Sequence, residues 1–168
     1  MTGSTFPNRL ENARGLPDIF ELVKESVLVR TGMSRGGLML GLTDLGCSPD
    51  KWVGGLYPVA TNVIVMNKRA MRLIESIRPD MYKSYLFHIL LHEYIHALGT
   101  MDEAETRQKA YSITKALFGE GHMATIIAKD ISVVLPYAAY PVPTEMSGDM
   151  QVELVKGFDR SSTDQYIY

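Results

Sequence analysis

The run MYKSYLFHILLHEYIHAL, residues 81 to 98, leaves this chain few ways to fold. Asp80 before it is an N-cap residue type and Gly99 after it a C-cap type, so the run reads as one helix of 18 residues. Tyr82, Tyr85, Leu86 and Ile89 recur at helical spacing and make an apolar stripe that other elements must cover. Its last turns read His92-Glu93-Tyr94-Ile95-His96. Two histidines four apart lie about 6 Å from each other along one helix face and can share one ion. Neutral imidazole is a preferred zinc ligand, and Glu93, one position on, can aim at a metal-bound water without ligating the metal itself. This is the HExxH spacing. A chance match would rarely fall at the end of a strongly patterned helix, after a β-rich segment, with acidic residues within the next turn.

Composition narrows the chemistry further. Seventeen basic against nineteen acidic side chains leave a net charge of −2 on 168 residues, which offers no electrostatic footprint for nucleic acid or an anionic membrane. With 46% hydrophobic and 21% charged residues, one globular domain with a real core is expected. A single cysteine, Cys47, rules out an internal disulfide and the usual cysteine-based zinc frameworks, so any metal must use histidine and carboxylate. Cys47 itself reads as a small buried hydrophobe. The chain opens without a basic region and long apolar run, and no segment reaches 18 uncharged apolar residues, so a soluble, cytoplasmic protein with no membrane span is expected.

Along the chain, Pro17 fits a first helical turn, and Ile19, Leu22, Val23 and Val27 continue at helical spacing until Thr31-Gly32. The segment SRGGLMLGLTDLG fits a strand through Leu38, Leu40 and Leu42, or a helix through Leu38, Leu42 and Leu45, and the helix is preferred. Gly54-Gly55 and Pro58 mark a loop before the β-branched stretch Thr61 to Met66, read as a strand. Asn67 then caps a short helix carrying Met71, Ile74 and Ile77, which Pro79 ends. Residues 1–140 are read as the domain and 141–168 as an extended tail with one β-like stretch, Gln151 to Val155.

A third ligand must come from LGTMDEAETR, which offers Asp102, Glu103 and Glu105. The following helix buries Ala110, Tyr111, Thr114, Leu117 and Phe118, and stepping that stripe back gives Arg107 and then Glu103. Glu103 thus points inward, where a carboxylate is costly unless it meets a cation. In the same register Asp102 and Glu105 form an aspartate version of a capping box. Asp102 stays open as the alternative ligand, and Arg107, one turn from Glu103, is expected to support that carboxylate from outside. His88 is expected to support the site or pack in the core, His122 to start a helix, and Tyr94 and Tyr111 to be core or cleft-wall residues.

HEYIHALG followed by DEAETR resembles the zincin metallopeptidases, and the small size is similar to the archaeal minigluzincins. The resemblance covers roughly residues 52 to 118. In gluzincins the third ligand is a glutamate on a second helix, which implies Glu103. Read as HExxHxxGxxD, the pattern is also similar to metzincins whose third ligand is aspartate, which implies Asp102 with Gly99 permitting the turn. The resemblance further implies that the strand before the active-site helix, here Asn62, Val63, Ile64 and Val65, is an edge strand that pairs with an extended peptide or protein substrate.

The resulting expectation is an α+β, mostly helical zincin-like domain with a small sheet, binding one catalytic Zn2+ through His92, His96 and Glu103. It would hydrolyse peptide bonds, with the metal activating water and Glu93 as general base. The competing reading is a zinc-stabilised binding or regulatory module that cleaves nothing. The tail reads as a solvated terminus or, tethered at high effective concentration, as a segment that pairs beside the edge strand and partly blocks the cleft.

Overall fold

The structure, a computed structural model, describes residues 3–46, 52–134 and 151–159; Cys47 lies outside them. After a short helix α1 (Phe6–Glu11), α2 (Leu16–Thr31) runs as its pattern predicts, with Pro17 in the first turn and Gly32 closing it in the left-handed region. α3 (Lys68–Ile77) begins at Asn67, whose side chain accepts from the Arg69 N–H. Fully buried, Asn67 also donates to the carbonyls of Gly46 and Val53 and accepts from the Leu45 N–H, so one side chain fastens three segments. α4 (Tyr82–Ala97) carries the histidines, followed by α5 (Glu103–Phe118) and α6 (Met123–Lys129), which His122 caps as expected. Asp80 does not cap α4. It lies in a 3-10 turn, Pro79–Met81, that leads straight into the helix, and α4 starts without a side-chain cap.

The segment preferred as a helix is a strand. β1 (Met39–Thr43) pairs in parallel with β3 (Val63–Asn67), Met39 opposite Val63 and Thr43 opposite Asn67. Leu38 and Leu40 are buried and Met39 between them is 40% exposed, the period-2 alternation of a sheet face. The apolar spacing allowed both periods, and a long-range partner decided between them.

With β2 (Gly55–Leu56) antiparallel to β3 and β4 (Glu153–Leu154) antiparallel to β1, the sheet runs in the order β2-β3-β1-β4. The stretch Asn62 to Val65 is therefore not an edge strand. β3 lies inside the sheet, and the strand outside it on the α4 side is β2, formed within the segment that reads as a glycine loop.

The tail that could block the cleft is also placed differently where it is described. Residues 151–159 close the other end of the sheet, beyond β1, and anchor on α2. Phe158 is buried and stacks on Phe20 with centroids 3.9 Å apart, while the buried Asp159 pairs with Lys24 at 2.5 Å and accepts from the Leu38 N–H. Phe158 and Asp159 are buried with the core of the domain, and the tail's remainder, 141–150 and 160–168, lies outside the described residues. α4 is enclosed by the sheet and by α1, α2, α3, α5 and α6, and is buried on every face from Tyr85 to Ala97 rather than along one stripe.

Candidate metal centre

α4 delivers His92 and His96 on one face of its last turns, rings nearly perpendicular with centroids 4.8 Å apart. Gly99, at φ +114°, turns the chain so that α5 starts close by and Glu103 returns to the two rings. His92 Nε2 lies 3.2 Å from His96 Nε2 and 3.1 Å from Glu103 Oε2, and His96 Nε2 lies 2.8 Å from Glu103 Oε1. One ligand atom from each of the three residues falls within 4.8 Å of the others, an arrangement that could hold a metal ion.

The rest of the site is arranged around these atoms. His96 Nδ1 is 2.7 Å from the Thr100 carbonyl, which can only accept, so Nδ1 carries the proton and the Nε2 lone pair faces Glu103 and His92. Thr106, fully buried one turn into α5, lies 3.4 Å from the same Nδ1 and donates to the Asp102 carbonyl at 2.8 Å. Burial holds His92 below its ordinary histidine value, against the opposing pull of the Glu103 carboxylate, and so favours the neutral, ligating form. Hydrogen bonding to His92 holds Glu103 below the usual carboxylate range despite partial burial. Glu103 is the first residue of α5, at the positive end of its dipole, and the histidines sit at the negative end of α4, where a cation is favoured.

Asp102 stands apart from this cluster. It is exposed and caps α5, its Oδ1 accepting from the Glu105 N–H at 2.7 Å, while the Glu105 carboxylate pairs with Lys109. Arg107, one turn beyond Glu103, is exposed, and its charge opposes protonation of His92.

Glu93 points to the sheet side of α4 and is 6% exposed. Burial, reinforced by the Glu103 charge, pushes its carboxyl up to about 8. Gly55 of β2 lies directly over it: a Cβ there would stand 3.5 Å from Glu93 Cγ and only 2.9 Å from both Ile89 Cγ2 and the Val65 carbonyl. Glycine is what lets the strand approach the helix this closely. His88, one turn before His92, is fully buried, and burial lowers its imidazole to about 3, so it packs as a neutral core residue. Tyr94 is likewise core, edge-on to Phe20, and its hydroxyl accepts from the Arg35 N–H.

Sequence reasoning missed Arg35. Its guanidinium donates to the Ala97 carbonyl at 2.7 Å, to the Tyr57 hydroxyl at 2.8 Å and to the Thr61 carbonyl at 2.8 Å, clasping the end of α4 to the loop between β2 and β3. No local pattern marks such a residue. Thr106 had a signal, since it lies three residues after Glu103 on the same helix. Compared with protein-family models, curated proteins and solved structures, the chain matches none. Among the described residues, no helix is long and apolar enough to cross a membrane.

Proposed function

We propose that this protein is a zinc-dependent metallopeptidase of zincin type. The observation that carries the reading is the convergence of His92, His96 and Glu103 from two helices, with Glu93 buried on the adjoining turn of α4. Two imidazoles and one carboxylate are a ligand set that catalytic zinc uses while keeping a further position open. His92, His96 and Glu103 would hold the ion, which when bound lowers the pKa of water and polarises a carbonyl. Thr100 and Thr106 keep His96 turned toward the site. Glu93, buried one residue after His92 on α4, is placed to accept a proton from an attacking water and return it to the leaving amine. β2 adjoins Glu93 and ends the sheet, so an extended peptide is best received along its outer side by backbone pairing.

The test is hydrolysis of a generic unfolded protein by the zinc-loaded chain and by Glu93→Gln. The variant should keep its fold and its zinc and lose activity by at least about a hundredfold, within the range assigned to a general base. A zinc-loaded wild type that cleaves nothing would instead favour the non-catalytic module.

A further inference from the structure

Beside the candidate metal centre, and sharing Thr100 with it, α2, the end of α4 and α5 border a half-open pocket of about 300 Å³. Its inner wall is apolar, built from Val27 of α2, Ile95 and Leu98 at the end of α4, and Ile113 of α5. Two cations line it from different helices, Arg30 in the last turn of α2 and Lys109 in α5, both exposed, and none of its lining residues is acidic. Lys109 is engaged locally, donating to Thr100 Oγ1 at 3.0 Å and pairing with Glu105 at 3.1 Å, so its positive charge is partly answered. Arg30 makes no ion pair among the described residues.

These features define an occupant. The volume is at the lower bound of small-molecule pockets and has room for roughly ten groups of water or methylene size. Apolar cavities gain by taking apolar matter, and a guanidinium at their edge selects a planar anionic head over a neutral one. The walls come from three helices and the turns that end α2 and α4, with no strand among them, so there is no strand edge here to receive an extended peptide. We propose that this cavity is a second binding site, which takes a small amphipathic carboxylate whose alkyl body lies against Ile95, Leu98 and Ile113 and whose head meets Arg30 and Lys109.

Decanoate, titrated into the zinc-loaded full chain by calorimetry below its aggregation limit, tests this. One decanoate per chain is expected, with decanol, the uncharged counterpart, binding about tenfold more weakly, as the loss of a charge-assisted contact requires. Arg30→Gln, an exposed change at a helix end, should weaken decanoate by a similar factor and leave decanol unchanged. Ser112→Trp, which fills the cavity from its exposed rim, should abolish binding of both while zinc content and helicity stay at wild-type levels. The proposal is overturned if decanoate does not bind, if decanol binds as well, or if Ser112→Trp and Arg30→Gln leave decanoate binding intact; the last result would place the carboxylate at the metal centre or on the surface.

Discussion

Two adjacent carboxylates at the start of α5 show how finely position divides their roles. Asp102 spends its side chain on the Glu105 N–H, whereas Glu103, one residue on, faces two imidazoles. Asp102→Ala should therefore cost about 1 kcal/mol of stability, the ordinary value of a lost cap, in urea unfolding, and leave zinc affinity unchanged. Thr106 acts through His96. Thr106→Val keeps the shape and removes the hydroxyl, so zinc should bind about tenfold more weakly in competition with a chelator, with little change in helicity. Helix register turned Glu103 inward from the sequence, but the stripe it was stepped along is only partly buried: Arg107, expected on it, is exposed, and the inner face of α5 runs through Thr106, Ala110, Ile113 and Thr114. Arg35 escaped notice because its partners, Tyr57, Thr61 and Ala97, lie 22, 26 and 62 residues away, and no short-range rule reaches that far.

At the level of elements, α2, α3 and α5 were legible because their apolar spacing agrees with their end signals: Pro17 and Gly32 for α2, Asn67 and Pro79 for α3, Asp102 and Gly119 for α5. β1 and β2 were not. β1 owes its state to pairing with a strand more than twenty residues away, and β2 is two residues long with a glycine whose role is close approach to α4. α4, expected to bury one stripe, buries all of its faces, and His88 bears the consequence. Its native-state value near 3 lies below the unfolded histidine value of about 6.5, so the unfolded chain binds the proton first. Its contribution is intact above about pH 6.5 and is lost as the pH falls toward 3. Between pH 7 and pH 5 the metal-free protein should lose about 2 kcal/mol through this residue, and His88→Leu should flatten that part of the profile. An identical pH dependence in the variant would mean that the acid sensitivity arises elsewhere.

For the molecule as a whole, the described part of the carboxy-terminal segment is a structural strap. β4 extends the sheet away from β2, and Phe158 and Asp159 fix it to α2. Phe158→Ala should cost about 3 kcal/mol, the usual loss for a buried ring, and truncation after Tyr140 should destabilise the domain further by leaving Lys24 without Asp159. A shortened chain as stable as the intact one in denaturant unfolding would contradict this. The candidate metal centre lies where the end of α4 and the start of α5 meet. The most direct measurement is equilibrium zinc binding, by competition with a chromophoric chelator, to wild type, Glu103→Gln and Asp102→Asn. The geometry predicts one zinc per wild-type chain, wild-type affinity in Asp102→Asn, and a loss in Glu103→Gln of more than about a hundredfold, beyond what outer supporting residues cost. Unchanged affinity in Glu103→Gln, or a loss confined to Asp102→Asn, would contradict the account.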